Sequence, residues 1–265
     1  MSYRLTVLGC GSSGGVPRIG PMWGKCDGTN PKNRRRRCSV MIERVEGGRR
    51  TSVLVDTSPD LREQLLDVRC DAIDGVLFTH DHADHTHGID DLRMVAYAMN
   101  SRIDCYFEPI TKASLIERFS YCFKTAPGSS YAPILTARYA AAGEPIRIEG
   151  AAGALTATPI AQVHGDITSL GFRVGGLAYS PDISDIPEAS LPLLQGLDVW
   201  IVDALRYQAH PSHFHVKRAL EWIERLGPKR AILTHMTTDL DYETLRRELP
   251  ANVEPAYDGM VVEWG

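Results

Sequence analysis

Three histidines and two aspartates fall within the run Thr79-His80-Asp81-His82-Ala83-Asp84-His85, and His87 follows closely. Imidazole nitrogens and carboxylate oxygens gathered in this way are donors for zinc, manganese or iron. The run comes directly after residues 75–79 (GVLFT), a short apolar stretch that reads as a buried strand. A turn at the end of such a strand aims several side chains at one point. Helical spacing does not bring His80, His82 and His85 onto one face, so a strand-end loop is the expected host. A solvated loop using histidines as turn residues is the competing use, and the density of the cluster argues against it. Single histidines at His164 (AQVHG) and His235 (ILTH) and an aspartate at Asp182 (YSPD) each follow an apolar stretch. Taken singly, such residues are more often structural than ligating.

The pattern His80-x-His82-x-Asp84-His85 resembles the signature of the metallo-β-lactamase superfamily. The resemblance runs from Leu5 to the C-terminus and implies an αββα four-layer sandwich with a two-metal site. It assigns His80, His82 and His164 to one divalent ion and Asp84, His85 and His235 to a second, with Asp182 between them. Zinc or manganese is the expected metal, and the donor set leaves iron open. Asp84 is thereby both a ligand and part of the catalytic set. Asp56 (LVD) matches a position where a carboxylate orients a ligand histidine, a common device at metal sites. Asp203 (IVD) is expected to act likewise, although a strand-end cap would serve equally well at both positions.

Two divalent ions about 3.5–4 Å apart share one hydroxide, lower its pKa and stabilise the charge that develops during attack. Fold does not fix the substrate, but three details favour a phosphodiester. Asp182 stands where lactam-hydrolysing relatives of the major zinc class carry cysteine. Leu8-Gly9-Cys10-Gly11-Ser12-Ser13-Gly14-Gly15-Val16-Pro17 looks like the opening of the branch that holds ribonuclease Z and the phosphoribosyl 1,2-cyclic phosphate phosphodiesterases. Its N–H groups, with Ser12 and Ser13, are expected to line an anion site, although an ordinary hairpin turn accounts for it equally well. Third, His210-Pro211-Ser212-His213-Phe214-His215 stands where that branch carries a catalytic histidine, and His213 aligns with it. His213 would contact the phosphate or protonate the leaving oxygen, with His210 and His215 as competitors.

Residues 165–181 leave no room for the arm with which ribonuclease Z grips transfer RNA. The layout is therefore closer to the cyclic phosphate phosphodiesterases, and the expected partner is a small phosphorylated substrate, a cyclic phosphate or nucleotide. An RNA-processing endonuclease and a non-catalytic metal- or nucleotide-binding module are the alternatives. The run Arg34-Arg35-Arg36-Arg37 would guide a phosphorylated substrate or simply sit in water. Cys26 stands alone in a loop that is cysteine-rich in that branch, so no structural zinc is expected there.

The elements that must position these groups follow from pattern. Residues 3–9, 39–44, 51–56, 75–79, 103–107, 146–148, 155–161, 169–174, 177–180, 199–203 and 230–234 read as strands. Residues 60–68, 88–99, 110–123, 216–226 and 242–248 read as helices, 253–264 as closing β-structure, and 125–142 shows no clear pattern. Two halves of mixed strand and helix imply an α+β fold of two packed mixed sheets with helices outside, in a single domain over residues 1–265. With 43% apolar and 23% charged residues and a net charge of −4, the chain is expected to bind neither nucleic acid stably nor membrane. The N-terminus lacks signal-peptide character and the six cysteines are scattered, so a reduced, cytoplasmic protein is expected. A homodimer is left open.

Overall fold

The computed structural model describes residues 2–265, so only Met1 of the N-terminal reading lies outside it. The first half runs β1 (Ser2–Gly9), β2 (Ser39–Glu46), β3 (Arg49–Val55), α1 (Leu61–Asp67), β4 (Gly75–Leu77), α2 (Ala83–Thr86), α3 (Leu92–Met99), β5 (Ile103–Phe107), α4 (Pro109–Arg118), α5 (Ser120–Phe123) and β6 (Leu135–Tyr139). The second half runs β7 (Ile146–Ile148), β8 (Leu155–His164), β9 (Ile167–Val174), β10 (Leu177–Ser180), β11 (Val199–Asp203), α6 (Val216–Leu226), β12 (Arg230–Thr234), α7 (Tyr242–Glu248), β13 (Val253–Pro255) and β14 (Val261–Trp264).

The strands form two seven-stranded mixed sheets, ordered β14-β1-β2-β3-β4-β5-β6 and β13-β12-β11-β10-β9-β8-β7. Period-two alternation explains the layering. Leu5, Val7, Val40, Ile42, Val53 and Val55 turn into the core shared with the second sheet. Their neighbours Leu8, Met41 and Leu54 turn outward onto Leu61, Leu65 and Leu92 of α1 and α3. On the opposite side, α6 buries Val216, Ala219, Trp222, Ile223 and Leu226 at helical spacing, and Gly227 ends it in a left-handed conformation (φ 61°). The expected αββα sandwich is the observed architecture.

Several local expectations are corrected. Residues 125–142 hold β6, a sheet-edge strand whose last residues, Arg138 and Tyr139, are exposed, so no buried alternation marks it. The helix expected over 110–123 breaks at Phe119 (φ −125°, ψ 37°) into α4 and α5. The closing segment divides between sheets, β13 beside β12 and β14 beside β1. No helix among the described residues is long and apolar enough to cross a membrane.

One topological fact sets up the site. β3 and β4 run parallel, and so do β10, β11 and β12. β8 shares the direction of β10, because both pair antiparallel with β9. The carboxyl ends of these strands form one rim, joined across the sheets by the Leu170 N–H donating to the Thr79 carbonyl (2.8 Å).

Candidate metal centre

Every residue of the seven-member set lies at a strand end on this rim or in the turn or short helix that follows. His80 lies just beyond β4, His164 ends β8, Asp182 lies two residues past β10, and His235 follows β12. A strand-end loop hosts only part of the cluster: His82 caps α2, and Asp84 and His85 lie inside that one-turn helix. Gly88 keeps α2 close to the end of β3. Its N–H bonds the Thr57 carbonyl (2.9 Å), and the Thr57 N–H bonds the His85 carbonyl (2.8 Å). A Cβ at residue 88 would fall 2.0 Å from the Ser58 carbonyl oxygen.

The side chains converge. Potential ligand atoms of His80, His82 and His164 lie within 4.8 Å of one another, as do those of Asp84, His85 and His235, and of His80, His85 and Asp182. Asp182 stands at the centre. Its oxygens are 3.0 Å from His85 Nε2, 3.4 Å from His235 Nε2, 3.8 Å from His164 Nε2 and 4.0 Å from His80 Nε2. The site is buried except at half-buried Asp84 and at exposed His82, which marks the opening to solvent.

These residues fit a pair of cations. The buried atoms His80 Nε2, His85 Nε2, His235 Nε2 and Asp182 Oδ2 have no hydrogen-bond partner. Buried polar atoms are normally bonded, and four orphans around one point would be satisfied together by bound cations. Burial lowers the pKa of His80 and brings that of His164 to about 4, which leaves both imidazoles neutral and able to ligate. Burial alone would also lower His85, but the carboxylates of Asp182, Asp84 and Asp56 outweigh it and raise His85 well above its ordinary value. Burial would raise Asp84 and Asp182, yet the neighbouring histidines hold both far below the usual carboxylate range. A proton on His85 thus answers the same negative field that a metal ion would.

The supporting contacts are specific. Asp56 Oδ2 is 2.7 Å from His85 Nδ1 and accepts from Thr79 Oγ1 (2.8 Å), while Oδ1 accepts from the Thr79 N–H (2.8 Å). Thr79 Oγ1 also lies 2.9 Å from His80 Nδ1, so one aspartate organises two histidines. His164 Nδ1 donates to the Ser212 carbonyl (2.6 Å). Asp56 and His235 both have left-handed backbones (φ 64° and 57°), a strained conformation found at functional sites. Asp203 differs from expectation: its Oδ2 is 2.7 Å from His213 Nδ1, whereas Oδ1 is 3.8 Å from His235 Nδ1. It therefore holds His213 first.

Among the three later histidines the geometry singles out His213, whose ring lies 4.6 Å from that of His164 and 4.8 Å from that of His235. His210 sits 5.1 Å behind it, with Nδ1 accepting from the Ser212 N–H (3.3 Å). His215 is the N-cap residue of α6 and makes no side-chain capping bond.

Two stretches make mostly internal contacts. The glycine loop is not a wholly free anion nest, because Cys10, Gly11, Ser12, Gly15 and Val16 donate their N–H groups within the protein. The loop is instead a clamp: Ser12 donates to the Met236 carbonyl (3.2 Å) and Met236 to the Cys10 carbonyl (2.9 Å), beside His235. Ser12 is buried and Ser13 exposed. The arginine run does not face a substrate as a unit either. Arg35 is buried against the Thr237 carbonyl and Cys26, Arg36 pairs with Asp67 and Asp258, and Arg37 pairs with Asp60. The Cys26 thiol donates to the Thr238 and Leu240 carbonyls (3.5 Å each).

Sequence reasoning missed Thr79, the Ser212 carbonyl and the anchoring of Asp81 to α4, where Asp81 Oδ2 accepts from Ser114 Oγ (2.6 Å) and from Arg118 Nη2 (3.1 Å). Adjacency to the cluster was the available signal for Thr79 and Asp81. The Ser212 contact had none.

Comparison with known proteins agrees with this geometry. A β-lactamase superfamily domain model matches residues 51–236. A curated octanoyltransferase from Porphyromonas gingivalis is 30% identical over 259 residues, which make up 97% of this chain and 51% of that protein. The chain thus spans about half the length of this relative. Among solved structures, a diphosphatase from the PhnP family is 35% identical with a TM-score of 0.87, over 100% of this chain and 98% of that one. Zinc-bound PqqB from Methylobacterium extorquens (19% identity, TM-score 0.73, 98% and 99% covered) and the short form of human tRNase Z (19%, 0.65, 98% of each) share the fold.

Proposed function

The chain belongs to the β-lactamase superfamily, and on that footing we propose that it hydrolyses phosphoric ester or anhydride bonds in a small phosphorylated substrate. The observation that carries the proposal is the meeting of six side chains and His213 around Asp182, with buried polar atoms of His80, His85, His235 and Asp182 left unbonded. His80, His82 and His164 would hold one divalent ion and Asp84, His85 and His235 another, with Asp182 shared. Ions bound there supply Lewis acidity and lower the pKa of a water molecule towards neutrality.

The chain's own residues then do three things. Asp56 and the Ser212 carbonyl each engage the Nδ1 of a ligand histidine, which leaves Nε2 as the donor atom of His85 and His164. Asp203 engages His213 Nδ1 and leaves Nε2 free to deliver a proton to the departing oxygen. Burial lowers the pKa of His213, which makes its protonated form a stronger acid. The exposed edge at His82 gives a substrate entry.

A small substrate is favoured over RNA, because residues 165–181 are taken up by β9, β10 and their turns and form no protruding arm. The diphosphatase among the solved structures, with 35% identity over the whole chain, supports a phosphorylated substrate and leaves a cyclic diester and a diphosphate side by side. All six cysteines are free, which supports a reducing, cytoplasmic setting.

The test is hydrolysis of bis-p-nitrophenyl phosphate by protein loaded with zinc or manganese, alongside Asp182→Ala. Turnover that needs the metal and Asp182 supports the proposal. A metal-loaded protein that hydrolyses neither this diester nor a nucleoside diphosphate sinks it, and cleavage of precursor transfer RNA would shift the substrate class to RNA.

A further inference from the structure

The short helix α2, with His82 at its start and Asp84 and His85 inside it, is bracketed by the end of α4. Upstream, Arg118, the last residue of α4, reaches Asp81, which stands between His80 and His82. Its Nη2 donates to the Asp81 carbonyl (2.6 Å), to Asp81 Oδ2 (3.1 Å) and to Ser114 Oγ (2.8 Å), and Ser114 Oγ donates to Asp81 Oδ2 (2.6 Å). Downstream, the ring of Phe119, where the helix breaks, meets the ring of His87 edge-on at 5.7 Å. A half-buried arginine–aspartate pair contributes little by itself. This one differs because the guanidinium also grips the main chain of the loop that carries the ligands.

His82 needs that support more than the other histidines beside it. His80 Nδ1 lies 2.9 Å from Thr79 Oγ1, and His164 Nδ1 donates to the Ser212 carbonyl (2.6 Å). His82 instead turns Nδ1 towards His164 Nε2 (3.4 Å), and its ring has no other hydrogen bond among the described residues. The residue is exposed, so surrounding side chains do not enclose it. A ligand ring with no partner behind it is oriented through its backbone, and the rotamer freedom lost on binding a metal counts against affinity. That backbone is held on one side by α2, where the His82 carbonyl accepts from the Thr86 hydroxyl (2.8 Å) and the His85 N–H (3.1 Å), and on the other by Asp81. His85 has supports of its own in Asp56 and the Thr57 N–H.

We propose that Arg118, acting through Asp81 and Ser114, positions His82 and so sets how tightly the ion at His80, His82 and His164 is held, while the ion at Asp84, His85 and His235 is indifferent to it. This rests on the two-ion reading above and adds to it a positioning residue outside the ligand set.

The test measures zinc binding by competition with a chromophoric chelator, with Arg118→Met placed in two backgrounds. In the wild type the substitution should weaken one of two ions about ten-fold, the low end of the loss that follows removal of a partner behind a metal ligand. Arg118→Lys should restore part of it. In His82→Ala, which lacks a ligand of the first ion, the remaining ion should bind equally well with Arg or Met at residue 118, because both changes act on one site. Unchanged zinc affinities on Arg118→Met in the wild type, or a weakened remaining ion in the His82→Ala background, would overturn the proposal. So would a raised KM for bis-p-nitrophenyl phosphate with both zinc affinities intact, which would make Arg118 a substrate contact. Should Arg118→Met lower the thermal midpoint of the metal-free protein, Ser114→Ala, which removes a smaller part of the latch, repeats the comparison in a folded chain and decides it in the same way. Uptake of fewer than two zinc ions by the wild type strikes the two-ion reading itself, and the proposal falls with it.

Discussion

His213 stacks on His235 with ring centroids 4.8 Å apart and planes 12° from parallel, and Asp203 stands beside both Nδ1 atoms, at 2.7 Å and 3.8 Å respectively. The same carboxylate thus touches a residue proposed to move a proton and is near one proposed to hold a metal. Replacing His213 by alanine should lower kcat by roughly 10²–10⁴-fold, the usual worth of a general acid. Metal content, measured by elemental analysis after gel filtration, should stay at the wild-type level. Loss of metal along with activity would reassign His213 to the ligand set.

Asp56 is the second carboxylate of this kind, buried and bonded to His85 and Thr79. Asp56→Ala is expected to weaken metal binding about 10–100-fold, as loss of a ligand-orienting partner typically does. Competition with a chromophoric chelator measures this. An unchanged affinity would reduce Asp56 to a strand-end cap.

The unbonded nitrogens at the centre predict a large stabilisation by metal. At free zinc one hundred times its dissociation constant, binding to the folded state alone adds about 2.7 kcal/mol per ion. Thermal unfolding with and without a chelator should show this as a raised midpoint, and His164→Ala should shrink the rise. A melting curve indifferent to chelation would contradict the two-ion assignment.

Asp258, behind the glycine loop, gives a prediction about pH. Burial pushes its carboxyl from 3.8 up to about 6, although the Arg36 N–H, the Arg36 guanidinium and the Cys10 thiol favour the charged form. A folded pKa above the unfolded one means that folding takes up a proton. The associated stability is fully present below pH about 4 and is lost as pH rises through about 6, on the order of 3 kcal/mol. Asp258→Asn removes this titration. Urea unfolding between pH 4 and 7 should therefore show wild-type stability declining relative to the variant, and parallel profiles would refute the shift.

How much of this was legible beforehand depends on how local each feature is. The cluster from His80 to His85, the alternation that puts Val53 and Val55 on one face and Leu54 on the other, and the helical spacing of α6 are short-range patterns, written in consecutive residues. The meeting of His164, Asp182 and His235 with that cluster was reached only through resemblance, since no local signal marks a lone histidine after a strand as a ligand. The edge strand β6 and the break at Phe119 were missed because exposed edges and helix interruptions leave weak patterns.

Sequence by itself therefore determined the donor types, the layer order and the strands whose ends carry the chemistry. Only the tertiary structure decided what each charged or polar group touches. Four consecutive arginines look alike in the chain, yet one is buried against carbonyls and two are paired with aspartates. Arg206, unremarkable in sequence, has its guanidinium tied to the Gln208 and Ala209 carbonyls of its own loop. The physical reason is that secondary structure follows from neighbours along the chain, whereas a charge's partner is set by whichever distant segment the two packed sheets bring against it.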